Sequence, residues 1–294
     1  MLVPAILGSG GSGGIDIVLL LAIAVGAGFV GSLLGIGGGL FLVPALFLLF
    51  GVDIRLAIAA SLISVVATSC GSAAAYVKAG LTNLRLAMFL EIATATGGLL
   101  GALLSVVLLA HSEYILVFLF VPVVLLSAWL MLAARGSDSQ PDRAADGWSA
   151  RLRLGGAYTD PVQGSVVSYN VTRSGVGLGF AGIAGVASGL LGIGGGLFKV
   201  PAMSSFMNVP IRVAVATSNF MIGVTASAGA LVYLFAGQVS FGLAAPVAIG
   251  VVAGSYLGSH YGPTTSTTGL KTLFAIVLVV AAVLMLLRAL GYLP

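Results

Sequence analysis

The sequence contains one thirteen-residue segment twice, as LLGIGGGLFLVPA at residues 33–45 and as LLGIGGGLFKVPA at residues 190–202. The two copies agree at twelve of thirteen positions and are offset by 157 residues. The same offset pairs residues well beyond the segment, such as Tyr76 with Tyr233. Self-similarity at a fixed spacing is typical of repeat architectures, so the sequence predicts two homologous halves.

The composition places both halves in a membrane. Hydrophobic residues make up 59% of the chain, charged residues only 7%, and the mean hydropathy is +1.18. Soluble domains carry roughly 25% charged residues, which this chain lacks. An all-α polytopic protein in a lipid bilayer is therefore predicted. The single cysteine, Cys70, excludes an intrachain disulfide framework and a cysteine metal site.

Eight apolar segments predict the membrane helices, and a crossing takes about 20 residues. The first segment of each half is too long, because about 35 helical residues would extend about 52 Å. We expect both to break at GIGGG. The apolar segments are 16–50, 54–77, 84–109, 113–134, 174–206, 212–236, 240–261 and 269–290. The breaks would give helices near 16–34 and 174–191, turns at 35–39 and 192–196, and short helices near 40–50 and 197–206.

The predicted architecture is about eight full transmembrane helices and two short half-helices. It divides into a first transmembrane repeat at 1–134, a linker at 135–173 and a second repeat at 174–294. The linker is rich in arginine, which places it in the cytoplasm by the positive-inside rule. Its arginines are Arg135, Arg143, Arg151, Arg153 and Arg173.

The orientation of the halves follows from how often each one crosses the membrane. Five elements in each half would make the repeats inverted, and four crossings would make them parallel. The inverted arrangement places Lys78, Arg85, Arg212 and Lys271 inside, with Arg55 and Arg288 outside. The parallel arrangement places Arg55, Arg212 and Lys271 outside. The positive-inside rule favours inverted repeats.

The glycine turns are the predicted binding site. Interrupted segments at equivalent positions of two halves point to a transporter site. A helix that starts after GIGGG exposes unpaired N–H groups, which favour an anion, and glycines let the backbone approach it. The alternative is that the glycines only allow close helix packing. The residues concerned are Gly37, Gly38, Gly39, Gly194, Gly195 and Gly196, with Pro44 and Pro201 expected to distort the short helices.

Charged and polar residues in the apolar segments complete the predicted site. Lys199 replaces Leu42 of the first copy, and its ammonium would neutralise an anion, although its long stem also permits snorkelling. Glu91, whose counterpart is Ala248, is a candidate for carrying a coupling proton. The hydroxyl and amide donors would bind the anion or bond neighbouring helices. These donors are Ser61, Ser64, Thr68, Ser69, Thr217, Ser218, Asn219 and Thr225.

The doubled motif resembles the sulfite exporter TauE/SafE family, also called the 4-toluene sulfonate uptake permease family. The resemblance rests on GIGGGLFLVP at 35–44 and GIGGGLFKVP at 192–201, each followed by a polar helix. It implies a bacterial or archaeal inner-membrane, multi-pass transporter of small sulfur-containing anions such as sulfite, sulfoacetate, thiosulfate or an organosulfonate. The alternatives are an anion channel and a permease for a different small organic anion.

Other function classes are disfavoured by what the sequence lacks. It has two histidines, no H-E-x-x-H and no Walker motif, so we expect no enzyme activity and no ATP drive within the chain. We expect no cofactor, no metal site and no nucleic-acid partner. The expected partners are the anion and the lipid bilayer, and the sequence leaves a homodimer open.

Overall fold

Each half begins with a long helix that ends at a glycine, followed by a tight turn and a short helix. In the computed structural model, which describes residues 16–108, 113–133, 144–160, 164–262 and 268–292, α1 spans Ile17–Leu34 and α2 spans Gly39–Leu49. In the second half, α7 spans Ser174–Leu191 and α8 spans Gly196–Pro201, which a π-helical turn at Ala202–Phe206 extends. The breaks predicted at GIGGG are confirmed.

Longer helices follow each break. The elements are α3 (Ile54–Lys78), α4 (Leu84–Leu103, extended by a π-helical turn at Leu104–Leu108), α5 (Glu113–Ala133), α9 (Ile211–Phe235), α10 (Phe241–Tyr261) and α11 (Thr268–Ala289). Side-chain oxygens of Asp53 and Asn83 accept from the first N–H groups of two of these helices, α3 and α4, as Asp16 does for α1.

Six helices in the described part of the chain are long and apolar enough to cross a membrane, namely α1, α3, α4, α7, α9 and α10. The polytopic all-α prediction is therefore confirmed in outline. Helices α5 and α11 contain 21 and 22 residues and pack against each other. The predicted total of about eight full crossings stays a prediction.

The first helix of each half packs against the other half. Helix α10 lies along α1 and α4 lies along α7, with glycines at the contacts. Gly254 of α10 meets the backbone at Val25, and Gly97 of α4 meets the backbone at Gly182. Both contacts are related by the 157-residue offset of the repeat. Glycine is needed here because a Cβ would overlap the facing backbone.

Helices α3 and α9 cross at the centre of the bundle and run antiparallel. Leu62 of α3 lies near Gly229 of α9, whereas Ser69, further along α3, donates to the carbonyl of Asn219, earlier in α9. These antiparallel helices occupy equivalent places in the repeat.

The linker marks one end of the bundle. The Asn83 amide, between α3 and α4, donates to the Leu154 carbonyl at 2.7 Å and to the Tyr169 hydroxyl at 2.9 Å. Thr172 N–H donates to the Met207 carbonyl, so the end of the π-helical turn that follows α8 lies here too. At the opposite end, the Arg288 guanidinium of α11 donates to a carbonyl of α2.

The linker also contains regular structure that the all-α prediction did not include. Helix α6 spans Gly147–Leu152, and an antiparallel hairpin joins β1 (Gly156–Thr159) to β2 (Val166–Tyr169). The apolar side chains of the linker pack on the α3–α4 loop and on residues that follow α8. Burial raises the pKa of Tyr169 to about 12, so its phenol stays neutral. Arg135 and Arg143 lie outside the described residues.

Candidate functional site

The two glycine turns meet at the centre of the bundle. A Cβ at Gly39 would overlap the carbonyl of Gly192, and a Cβ at Gly196 would overlap the carbonyl of Gly35. The two contacts are related by the repeat, because 39 and 35 correspond to 196 and 192. Helices α2 and α8 therefore start next to each other, and neither has a side-chain N-cap.

Glycine is required in these turns for two separate reasons. Gly37, Gly194 and Gly195 have φ values of 77°, 76° and 69°, which side-chain-bearing residues rarely adopt. Gly39 and Gly196 have ordinary φ values, and there the opposite turn leaves no room for a Cβ. The turns thus combine a tight reversal with close packing, and the anion-binding role of their glycines stays a prediction.

The chain folds back on itself at each turn. A Cβ at Gly38 would lie 3.3 Å from the Ala27 backbone, and a Cβ at Gly195 would lie 2.7 Å from the Ala184 carbonyl. From this centre, α2 leads to the start of α3, and the segment after α8 leads to the linker end. The short helices therefore leave the meeting point toward opposite ends of the bundle.

Two of the predicted serine donors form hydrogen bonds to the glycine turn of the opposite half. Ser61 of α3 donates to the Gly192 carbonyl at 2.6 Å, and Ser218 of α9 donates to the Gly35 carbonyl at 2.5 Å. The repeat relates one bond to the other, since both pairs differ by the 157-residue offset. Each serine spans the interface, and each is fully buried.

Asn219 and Ser64 lie close to this centre, whereas Thr217 serves another contact. The Asn219 amide donates to the Ser32 carbonyl at 2.8 Å, and Ser64 donates to the carbonyl of Ser61 within α3. Thr217 accepts the backbone N–H of Asn83 at 3.0 Å, which places it toward the linker end. All three therefore bond to protein partners in this conformation, Asn219 and Ser64 as donors and Thr217 as an acceptor.

Lys199 and Glu91 are joined through Thr225, one of the hydroxyl residues that the sequence offers as a candidate donor. Lys199 is 1% exposed, and its ammonium donates to the Thr225 hydroxyl at 2.7 Å. Thr225 in turn donates to Glu91 Oε1 at 2.7 Å. Glu91 Oε2 is buried without a hydrogen-bond partner. The bridge connects α8, α9 and α4 beside the glycine turns.

The repeat itself carried a signal for this bridge. Thr225 has Thr68 as its counterpart, but Lys199 corresponds to Leu42 and Glu91 corresponds to Ala248. The two charges that break the repeat therefore occupy one place in space and neutralise each other there. Thr68 donates to the carbonyl of Ser64 one turn back, as Thr225 also does to the carbonyl of Met221, and no charged group among the described residues bonds to Thr68.

The prolines lie where distortion was predicted, with different effects. Pro44 lies inside α2, which continues to Leu49. Pro201 ends α8, and the wider π-helical turn begins at Ala202. Pro lacks the N–H that an α-helical bond needs, yet only Pro201 is followed by a wider turn, and α2 continues as an α-helix past Pro44. Among the described residues, no group of three His, Cys, Asp or Glu side chains could hold a metal ion.

Apolar spans, interrupted helices and a buried charge pair define a polytopic membrane transporter rather than an enzyme. The chain belongs to the family described as Sulfite exporter TauE/SafE, which it matches over residues 20–285. It is 30% identical over 269 residues to the probable membrane transporter protein YunE of Bacillus subtilis (strain 168), covering 89% of this chain and 94% of that protein. The probable membrane transporter protein YdhB of the same organism is 27% identical over 270 residues, covering 92% and 98%. No solved structure matches the chain.

Proposed function

We propose that this chain is a secondary transporter of a small sulfur-containing anion, such as sulfite, sulfoacetate, thiosulfate or an organosulfonate, in the inner membrane. The sulfur chemistry follows the family description, and transport follows both relatives. The observation that carries the proposal is Lys199, a fully buried cation on the short helix that follows the second glycine turn. Intramembrane cations of this kind mark substrate pathways.

The halves are proposed to be inverted repeats. Their equivalent helices α3 and α9 run antiparallel, and paired contacts such as Ser61 to Gly192 and Ser218 to Gly35 relate by the repeat offset. Such symmetry requires a two-fold axis across the helices, which lies in the membrane plane. The domain division at 1–134, 135–173 and 174–294 is part of this proposal.

The membrane orientation that we propose places the linker in the cytoplasm. Lys78 and Arg85 border the loop that holds Asn83 at the linker, and Arg212 follows the π-helical turn that ends there. Arg55 begins α3 and Arg288 ends α11 at the opposite end. The basic residues thus favour the linker side, as the positive-inside rule requires.

The anion is proposed to bind between the N-termini of α2 and α8. Both termini lack a side-chain cap, so their first N–H groups are available to an anion. The turns are in backbone contact in this conformation, so binding requires them to separate. Separation would release the hydroxyls of Ser61 and Ser218 from the turn carbonyls, and they could then donate to the anion.

Flux into proteoliposomes tests the proposal. Uptake of a labelled sulfur anion should saturate, which distinguishes a transporter from a channel. Lys199→Leu should weaken apparent affinity about 10- to 100-fold, because a hydrogen bond to a charged group contributes about 1.5–3 kcal/mol. Lys78→Leu, at the exposed end of α3, is the matched control and should leave affinity unchanged. Absence of saturable flux of every sulfur anion would refute the proposal.

A further inference from the structure

The Lys199–Thr225–Glu91 bridge is a complete neutral unit inside an apolar bundle. The ammonium and carboxylate bond to the same hydroxyl, each at 2.7 Å. A buried cation is costly without an opposite charge close by. Whatever anion approaches Lys199 must therefore compete with the carboxylate that already neutralises it.

Glu91 has an unoccupied position for a proton. Its Oε1 accepts from Thr225, whereas Oε2 is buried and lies within hydrogen-bonding geometry of no described residue, with the Thr94 hydroxyl as the other polar group beside the carboxylate. A proton can be added at Oε2 without breaking the bond that orients the side chain. An unpartnered carboxylate oxygen in a polar bridge requires an explanation, and proton uptake supplies one.

The neighbouring elements supply no other charge to this place. Helix α7, which packs along α4, contains no ionisable residue, and α5, which contacts α8, has none after Tyr114. On α9, Arg212 precedes Thr225 by about three and a half turns, and Tyr233 donates instead to the carbonyl of Gly189. Glu91 and Lys199 therefore determine the local charge between them.

We infer that Glu91 is a resident counter-anion that the substrate displaces from Lys199, so that each anion is carried together with one proton. The inference rests on the proposed function. The carboxylate takes a proton from water at Oε2 and becomes neutral, and the anion takes its place beside the ammonium. The site holds no net charge before the exchange, and none after it for a monovalent anion. No bond other than the transferred O–H is made or broken.

The repeat offset shows why a single bridge suffices. The positions that correspond to Lys199, Thr225 and Glu91 hold Leu42, Thr68 and Ala248, which carry no charge. The two glycine turns are symmetric, but the charge beside them is not. One anion and one proton per cycle is the stoichiometry that one bridge can support.

Ethanesulfonate uptake by purified full-length protein in proteoliposomes tests the inference, with sulfite and thiosulfate assayed in parallel. This sulfonate keeps a fixed single charge at neutral pH, so pH effects report on the protein. An acid-outside gradient of about one pH unit should accumulate it about tenfold in the wild type. A membrane potential of about 59 mV, which is a tenfold ratio for a single charge, should leave wild-type uptake unchanged.

Glu91→Gln is the decisive variant, because it keeps the acceptor for Thr225 and removes the titrating oxygen. It should lose accumulation by the pH gradient and become sensitive to the potential. Asp53→Asn, an N-cap of α3 at the opposite end, is the matched control and should behave as wild type. If Glu91→Gln fails to fold, the double variant E91A/K199L introduces the uncharged residues of the repeat-related positions, Ala248 and Leu42. At a substrate concentration raised about 10- to 100-fold, to offset the loss of the Lys199 ammonium, it should likewise respond to the potential alone.

The outcomes separate the inference from the function on which it rests. Wild-type uptake that follows the potential and ignores the pH gradient would overturn the inference and leave the transporter proposal standing. Retained proton coupling in Glu91→Gln would do the same. Absence of flux for all three sulfur anions would overturn the proposed function, and the inference with it.

Discussion

Removal of Lys199 alone should destabilise the protein more than removal of Lys199 and Glu91 together. The two charged atoms are about 5 Å apart through the Thr225 hydroxyl, and at an effective dielectric constant of about 20 their attraction is about 3 kcal/mol. Lys199→Leu leaves the carboxylate without its partner, and breaking a buried pair costs about 3–5 kcal/mol. We expect about 3 kcal/mol, because Glu91 is only partly buried.

The double variant E91A/K199L should recover most of that loss. It introduces the uncharged residues found at the repeat-related positions, Leu42 for Lys199 and Ala248 for Glu91. Replacing a buried ion pair with apolar residues is often close to neutral. A double-mutant cycle should therefore give a coupling energy of about 3 kcal/mol between Glu91 and Lys199.

Unfolding free energies at neutral pH in detergent micelles, measured for the wild type, both single variants and the double variant, provide the cycle. Thr225→Val and Thr68→Val are a matched pair, because only the Thr225 hydroxyl bridges two charged groups. Thr225→Val should be the more damaging of the two. Single-variant losses that add to within about 0.5 kcal/mol in the double variant would refute the reasoning.

Three further outcomes test the packing of the turns and the linker. Gly196→Ala should abolish the folded protein or lower its Tm severely, whereas Gly26→Ala, with nothing within 4 Å, should lower Tm little in the same melting assay. Asn83→Ala should expose the linker to limited proteolysis, because it removes both of the amide's bonds to the linker, and unchanged cleavage rates would contradict that role. Partial burial raises the pKa of Asp146, but hydrogen bonds from Ser149 and Ser174 outweigh it and hold that pKa below its ordinary value. The Asp146 carboxylate therefore stabilises the folded state at neutral pH, and this contribution is lost as the pH falls through the depressed pKa. Asp146→Asn should lower the free energy of unfolding at neutral pH, and in acid its free energy of unfolding should converge with that of the wild type.

The sequence predicted the interruptions of the fold well, because they follow from length and glycine content. A segment from 16 to 50 cannot be one straight crossing, and α1 and α2 indeed break between Leu34 and Gly39. The antiparallel contact of α3 and α9 was predicted only indirectly, because the distribution of basic residues between the two membrane sides favoured inverted repeats only weakly. The linker hairpin was missed, because two four-residue strands at Gly156–Thr159 and Val166–Tyr169 give little periodicity.

The hydrogen-bond partners of the candidate site residues could not be predicted from the sequence. Lys199 and Glu91 were each selected because they break the repeat, and nothing in the sequence placed them on either side of Thr225. That pairing depends on α4, α8 and α9 meeting across the two halves, which periodicity within one helix does not report. Ser61 and Ser218 were expected to face an anion, and each donates to a carbonyl of the opposite half's turn in this conformation.

The most direct test of the central claim is a structure with a bromine-labelled substrate. Crystals grown with 2-bromoethanesulfonate would show the bound anion through the anomalous signal of bromine. We expect a single site between residues 35–39 and 192–196, with the sulfonate in contact with the Lys199 ammonium. The Glu91 carboxyl group should no longer be linked to that ammonium through Thr225. A sulfonate bound elsewhere, with the two turns still in contact and the Lys199–Thr225–Glu91 bridge intact, would contradict the claim.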